Sequence, residues 1–132
     1  MKVPTVAPGK RPLSSMSPTL VRRNGKPVLA VGASGGPTII SQTVLAILNT
    51  IDFRLDAVAA LAQPRFHHQW RPDVLQVEPG VPEAVRAELT RRGQPVAPIK
   101  TLAATQAVAR PPGATNFIAV ADPRAGGRGA AW

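Results

Sequence analysis

The sequence has no cysteine and no tyrosine, and aromatic side chains make up only 4% of its 132 residues. Without cysteine, disulfide bonds, a thiolate nucleophile and cysteine-ligated metal centres are all excluded. Because aromatic residues are so few, the hydrophobic core must consist mainly of valine, leucine, isoleucine and alanine. Hydrophobic residues still make up 44% of the chain, which is enough for a folded domain rather than a disordered polyelectrolyte.

Acidic residues are also scarce, with 7 Asp and Glu against 16 Lys and Arg and a net charge of +9. The basic residues occur singly or in pairs, as at Arg22-Arg23 and Arg91-Arg92, and no run resembles a basic arm. We therefore expect no nucleic-acid partner. A non-enzymatic basic module that binds nucleic acid or an acidic protein surface remains an alternative interpretation.

No apolar run approaches the roughly 18 to 20 residues of a membrane-spanning helix, so we expect no association with a membrane. The first residues contain Pro4 and Pro8 and lack the apolar segment of a signal peptide. If the chain is expressed alone, the expected location is therefore the cytoplasm.

Local patterns predict a mixed α/β fold with mostly antiparallel strands. Asn24-Gly25 is a strong hairpin signal because both residues tolerate positive φ angles. Further strands are expected at residues 73–78, 95–99, 106–110 and 116–121, and helices at residues 37–51, 55–62 and 82–92. The apolar strand at 26–32, which follows the hairpin turn, is expected to be buried on both faces. The first helix is expected to pack a broad apolar face on a sheet, made of Ile39, Ile40, Val44, Leu45, Ile47 and Leu48.

The Gly-Ala-Ser-Gly-Gly segment at residues 32–36 joins a strand to a helix and is the first candidate site. Free N–H groups at a helix N-terminus can hold a developing oxyanion, and glycine lets a ligand approach the backbone closely. The residues alone favour a purely structural turn. The segment also lacks the downstream Gly-Lys-Ser/Thr of a phosphate-binding loop.

Two further groups are weaker candidates. Ser14 and Ser15 lie in a loop between two prolines and could donate hydrogen bonds to a carboxylate, although serine-rich loops are more often solvated turns. His67 and His68 are adjacent on an expected strand and so point to opposite faces, which prevents them from sharing one metal ion. We expect one to be packed and the other exposed, with no metal site.

Four blocks of the sequence resemble the small subunit of the γ-glutamyltransferases, also called γ-glutamyl transpeptidases or glutathione hydrolases. They are GKRPLSSMSPT at 9–19, VGASGG at 31–36 before a long apolar helix, AQPRFHHQW at 62–70 with Pro72-Asp73 and Val77-Glu78, and ADPR with Gly-Gly at 121–127. Their order and spacing agree with the family from residue 9 onward.

The resemblance implies an N-terminal-nucleophile hydrolase fold, a four-layer αββα sandwich, that acts on γ-glutamyl substrates such as glutathione. In this family an N-terminal threonine attacks the γ-glutamyl amide and forms an ester. Ser14 and Ser15 match the serines that bind the substrate carboxylate, and Gly35 and Gly36 match the oxyanion-hole glycines. No cofactor or metal is implied.

The resemblance also implies what this sequence leaves to other chains. No Thr-Thr-His start precedes the serine pair, so we expect no catalytic residue in this chain and no activity from it alone. Residues 1–11 are interpreted as an extended lead-in, and residues 12–132 as the C-terminal portion of the small-subunit domain. The missing partners would be the large subunit and the N-terminal part of the small subunit. A related acylase with a glutaryl-type substrate is the alternative enzyme.

Overall fold

The computed structural model describes residues 7–129. Most of the predicted lead-in, including Thr5, lies outside the described residues, as does the terminal aromatic residue at position 132. Within the described part of the lead-in the chain turns at Pro8-Gly9, and the N–H of Lys10 donates to the carbonyl of Ala7.

The predicted hairpin is confirmed. Strands β1 (Thr19–Arg23) and β2 (Lys26–Ser34) pair antiparallel. Asn24 and Gly25 form the turn with φ angles of 50° and 75°, the left-handed conformation that these two residues adopt at low cost. β2 extends two residues further than predicted, because Ala33 and Ser34 still pair with a neighbouring strand.

The three predicted helices are present, with small changes at their ends. One turn of 3₁₀ helix, Gly36–Thr38, leads into α1 (Ile39–Ile51). Helix α2 (Ala57–Ala62) begins after Asp56, whose side chain accepts a hydrogen bond from the N–H of Ala59. Helix α3 (Glu83–Arg91) is followed by Gly93 at φ 88°, as expected of a glycine that ends a helix.

The strands form two sheets, and the predicted mixed α/β fold with mainly antiparallel pairing is confirmed. The remaining strands are β3 (Phe66–His68), β4 (Leu75–Val77), β5 (Val96–Pro98), β6 (Ala104–Ala109) and β7 (Ile118–Val120). The main sheet is antiparallel in the order β1-β2-β6-β7, and the small sheet has the order β3-β4-β5. Strands β4 and β5 are parallel and are connected through α3.

The hydrophobic core lies between one face of the main sheet and helices α1 and α2. It consists, as the composition predicts, of small aliphatic side chains: Leu29, Val31, Ala46, Ala57, Ala60, Leu61, Ala107, Ala109 and Val120. No aromatic residue belongs to this cluster.

The other face of the main sheet is open, so the prediction that the second hairpin strand is buried on both faces is wrong. Ala30 is exposed between the buried residues Leu29 and Val31. Leu20 and Val108 lie on the same open face with 59% and 41% of their surface exposed. The described residues cover only one face of the sheet with helices, which leaves an apolar groove of about 590 Å³ on the other.

Helix α1 is also oriented differently from expectation. Its buried residues are Ile39, Gln42, Thr43 and Ala46. Ile40, Val44 and Leu48 were expected to belong to the packed apolar face, but they form an exposed stripe at a spacing of four residues. The apolar pattern alone could not show that the polar residues Gln42 and Thr43 would be buried on this helix while part of its apolar face stays exposed. No helix within residues 7–129 has the length and hydropathy needed to cross a bilayer.

Candidate functional site

Four segments of the chain meet at one end of the main sheet. Thr19 lies opposite Val31 in the antiparallel hairpin, so the loop before β1 and the turn after β2 leave from the same end. Ala104, the first residue of β6, lies opposite Ser34, and β7 also ends on this side. The antiparallel topology therefore brings two predicted features to the same end of the sheet: the loop that carries Ser14 and Ser15, called the serine loop below, and the turn at Gly35-Gly36, called the glycine turn.

In the glycine turn, the first of the two positions, Gly35, has a geometry that only glycine fits. Gly35 has a φ of 149°, and a Cβ added there would lie 2.7 Å from the Cβ of Ala103 and 2.8 Å from Oγ1 of Thr38. Gly36 has a φ of 60° with open space around the position of a Cβ. The turn is thus packed against the protein at Gly35 and accessible at Gly36, where a helix begins.

The backbone of Ala103, which packs against Gly35, is itself fixed by hydrogen bonds to other residues. Ala103 has a φ of 52°, and its carbonyl lies 3.4 Å from Nη1 of Arg65. The same guanidinium nitrogen donates to the carbonyl of Leu102 at 3.0 Å. The N–H of Leu102 donates to Oε1 of Glu78 at 2.9 Å. Two buried charged residues therefore fix the segment that supports the turn.

Arg65 and Glu78 belong to a cluster of four charged side chains, in which Asp122 is also buried and Arg124 is half-buried. Arg65 forms an ion pair with Asp122 at 2.6 Å, and Arg124 forms one with Glu78 at 2.6 Å. Arg124 also lies 3.3 Å from Asp122, which closes the network. Arg65 and Arg124 each donate to the carbonyl of Leu61 at the end of α2. The cluster, which we call the ionic cluster, connects α2, both sheets and the residues after β7.

The charges of this cluster are stabilised by their hydrogen bonds. Burial raises the pKa of Glu78, but hydrogen bonds from Arg124 and two backbone N–H groups outweigh it, so the pKa lies below its usual value. Burial likewise raises the pKa of Asp122, and the N–H groups of Thr105 and Arg124 together with the Arg65 side chain bring it below normal. Both carboxylates are therefore ionised at neutral pH.

The serine loop is built quite differently from the glycine turn. Ser14 is exposed and Ser15 is half-buried. The hydrogen bonds found for the hydroxyl groups of the loop are local: Oγ of Ser14 accepts from the N–H of Met16, and Oγ of Ser17 donates to the carbonyl of Ser15. The loop begins at the same end of the sheet as the glycine turn. Within residues 7–129, however, no hydrogen bond joins the Ser14 or Ser15 side chain to that turn.

The two adjacent histidines point to opposite faces, as predicted. His67 is buried and lies 2.7 Å from Oγ of Ser41 and 2.8 Å from Oε1 of Gln69. His68 is more exposed and lies 3.0 Å from Asp73. Across the part of the chain that the structure describes, no group of three His, Asp or Glu side chains is placed to hold a metal ion.

Sequence reasoning assigned no function to the ionic cluster, although a signal was present. Arg65, Glu78, Asp122 and Arg124 all lie in or beside the blocks that carry the family resemblance. Charged residues make up only 17% of the chain, so four of them in or near these blocks are candidates for a buried network. Their contacts span up to 63 positions in the sequence, so no local pattern could pair them.

Comparison with known proteins gives a consistent result. The model of the family described as Gamma-glutamyltranspeptidase matches residues 2–132. The chain is 43% identical over 119 residues to the glutathione hydrolase proenzyme of Escherichia coli K12, and the matched segment is 90% of this chain. The structure of a T380A mutant of the Helicobacter pylori γ-glutamyltranspeptidase is similar, with a TM-score of 0.84 and 38% identity, over 90% of this chain and 66% of that one.

A cephalosporin acylase from Bacillus halodurans is also similar, with a TM-score of 0.76 and 30% identity, over 86% of this chain and 22% of that one. The chain spans about a fifth of the length of the Escherichia coli relative, 20% of it.

Proposed function

Because the chain belongs to the gamma-glutamyltranspeptidase family, we propose that it supplies the carboxylate-binding and oxyanion-binding half of a site for γ-glutamyl transfer or hydrolysis. In this proposal the hydroxyls of Ser14 and Ser15 bind the α-carboxylate of a substrate such as glutathione. The backbone N–H groups of Gly35 and Gly36 hold the oxyanion. The nucleophilic threonine and the large subunit come from outside these 132 residues.

The observation that carries this proposal is the geometry of the glycine turn. Its left-handed backbone is fixed by Ala103 on one side and is open at Gly36 on the other. Attack on a γ-glutamyl amide places a negative charge on the carbonyl oxygen, and preorganised N–H donors stabilise that charge without rearranging during the reaction. Removing one such donor typically lowers kcat by about 100-fold to 1,000-fold, so a rigid turn has a direct catalytic value.

The open face of the main sheet supports the second part of the proposal, that further chain is needed. Leu20 and Val108 leave a continuous apolar surface exposed, and such surfaces usually mark an interface. In an αββα sandwich this face packs against a second sheet. We propose that the missing part of the enzyme covers it and brings the attacking threonine over Gly36.

The proposal is tested with a chimera of the Escherichia coli relative. Residues 9–132 of this chain replace the corresponding C-terminal segment of that glutathione hydrolase proenzyme, and release of an aniline from a γ-glutamyl anilide is followed. We expect the chimera to hydrolyse this substrate, and we expect the chain alone to give no turnover. A chimera that folds and is processed but does not turn over would contradict the proposal.

An acylase with a glutaryl-type substrate is the second candidate, favoured by the similarity to the cephalosporin acylase. A glutaryl amide and a γ-glutamyl amide carry the same distal carboxylate and differ in the α-amino group. Ser14 and Ser15 suit the carboxylate of either substrate. A chimera that prefers the glutaryl amide would favour the acylase, since the rest of the Escherichia coli enzyme is unchanged.

A further inference from the structure

Thr38, the residue just before helix α1, does not cap that helix with its side chain. A threonine at this position usually accepts a hydrogen bond from an N–H group of the first helical turn. Thr38 forms no such bond. Its hydroxyl is turned back along the chain instead, and Oγ1 lies 2.9 Å from the carbonyl oxygen of Gly35. The side chain therefore acts on the glycine turn rather than on the helix.

The direction of this hydrogen bond follows from the two groups that form it. A carbonyl oxygen can only accept, so the hydroxyl of Thr38 donates its single hydrogen to Gly35. Gly35 also precedes the 3₁₀ turn Gly36–Thr38, whose hydrogen-bonding pattern directs the N–H of Thr38 towards the same oxygen. The hydroxyl is thus a second donor to this carbonyl, added by the side chain.

The carbonyl that Thr38 binds belongs to the same peptide group as the N–H of Gly36. That peptide is trans, so its oxygen and its N–H point in opposite directions. Thr38 therefore lies behind the amide and does not block the N–H. Because Gly36 is the first residue of the 3₁₀ turn, its N–H has no acceptor within that helix.

A hydrogen bond at the oxygen of a peptide has two effects on its N–H. It fixes the rotation of the peptide plane, and it polarises the peptide so that the N–H becomes a stronger donor. The plane needs to be fixed here, because it joins two glycines, whose backbone is freer than that of any other residue. Packing against Ala103 restricts Gly35 itself, whereas the hydroxyl of Thr38 orients the peptide that follows.

We propose that Thr38 is a positioning residue for the Gly36 amide, which it orients and polarises through the carbonyl of Gly35. The inference rests on the proposed function, because it gives a catalytic consequence to a turn whose role is itself proposed. A hydroxyl that returns to a carbonyl three residues earlier is also a common local motif. If the bond were only that, its loss would lower stability and leave the chemical step unchanged.

The first test measures the kinetics of the chimera described above with Thr38→Val and Thr38→Ser. Valine has nearly the shape of threonine but lacks the hydroxyl, so we expect kcat to fall by about fivefold, as the loss of one hydrogen bond implies. KM should stay within about twofold, because the oxyanion exists only in the transition state. Thr38→Ser keeps the hydroxyl and should keep kcat close to that of the unchanged chimera.

Thr50 on the same helix provides a matched control. Its Oγ1 donates to the carbonyl of Ala46 at 2.8 Å, and like Thr38 it is half-buried. Thr50→Val removes the same kind of hydrogen bond at the far end of α1 and should leave kcat unchanged. An unchanged kcat in Thr38→Val, an equal loss in both variants, or a rise in KM without a fall in kcat would overturn the inference.

The second test uses the full chain and does not depend on activity. NMR measures the carbonyl carbon shift of Gly35 and the amide proton shift of Gly36 in the unchanged chain and in the same three variants. We expect Thr38→Val to move both resonances upfield, and Thr38→Ser and Thr50→Val to leave both near their original positions. A chimera without any turnover would contradict the proposed function alone. The Gly36 resonance in Thr38→Val then decides the inference: an upfield shift supports it and an unchanged resonance overturns it.

Discussion

The two predicted halves of the site are held in opposite ways. The glycine turn is packed against Ala103 at Gly35, and its carbonyl is bound by Thr38. The serine loop has an exposed Ser14, and its hydroxyl groups form only local hydrogen bonds among residues 7–129. If the roles proposed above hold, the difference indicates that the oxyanion half is preorganised by this chain. The carboxylate half would be shaped by substrate or by further protein.

The proposed function gives a physical reason for this difference. An oxyanion exists only during the reaction, so donors that are already oriented contribute most to the rate. A carboxylate is present in the bound substrate and can order a flexible loop as it binds, at some cost in affinity. Variants that change the rigidity of one half without changing substrate binding by the other test this difference.

The largest expected effect comes from the ionic cluster beneath the glycine turn. Glu78→Ala leaves the guanidinium of Arg124 and the N–H of Leu102 without their carboxylate, and we expect a loss of about 3–5 kcal/mol in the free energy of unfolding. Urea denaturation of the full chain measures it. Glu88→Ala is the control, because Glu88 pairs with Arg91 and Arg92 on the exposed face of α3. A loss in Glu78→Ala no larger than in that control would show that the cluster does not support the fold.

The next effect distinguishes the two glycines. Gly35→Ala forces a methyl group into Ala103 and Thr38, and we expect a loss of about 2–3 kcal/mol from overpacking and backbone strain. Gly36→Ala meets open space and should cost only about 1 kcal/mol, from its positive φ alone. Thermal or urea unfolding of both variants makes the comparison. Equal losses would mean that the turn is not packed at Gly35.

A smaller effect is expected from acid. The pKa values of Glu78 and Asp122 are lowered by folding, so the unfolded chain binds more protons as the pH falls below the usual carboxyl range. Stability from these groups is fully present above that range and is lost as the pH drops through their folded-state values. Unfolding of the chain between about pH 5 and pH 2 should show this decline. Glu78→Gln should show a shallower one, and identical slopes would contradict the assignment.

The smallest effect on stability is expected in the serine loop. The double variant Ser14→Ala/Ser15→Ala removes two hydroxyls that form few contacts, and the free energy of unfolding should change by no more than about 0.5 kcal/mol. Urea unfolding beside the unchanged chain provides the measurement. A loss above about 1 kcal/mol would show that the loop is part of the rigid structure after all.

Local features of this fold could be predicted from the sequence, and long-range ones could not. The Asn24-Gly25 hairpin and helix α3 with Gly93 depend on residues within a few positions of one another, and both are confirmed. The burial of Gln42 and Thr43 on α1 depends on partners elsewhere in the chain. Without knowledge of those partners, the apolar pattern predicts that Ile40, Val44 and Leu48 are packed, whereas the structure leaves them exposed.

In the candidate site, too, local features could be predicted from the sequence and long-range contacts could not. The sequence indicated Ser14, Ser15, Gly35 and Gly36 as candidates, and the antiparallel hairpin brings both pairs to one end of the sheet. What supports the turn could not be predicted, because Ala103 reaches Gly35 only after the chain has passed through three helices and the small sheet. Their roles in binding and catalysis stay predictions.

The proposed roles of the serine loop and the glycine turn are tested most directly by the kinetics of the chimera that carries Ser14→Ala/Ser15→Ala, measured with a γ-glutamyl anilide as substrate. If the serines bind the substrate carboxylate while the glycine turn serves the transition state, KM should rise by about 10-fold or more, since hydrogen bonds to a charged group are lost. The kcat at saturating substrate should stay nearly unchanged. An unchanged KM with full activity would contradict the assignment of the carboxylate site to this loop.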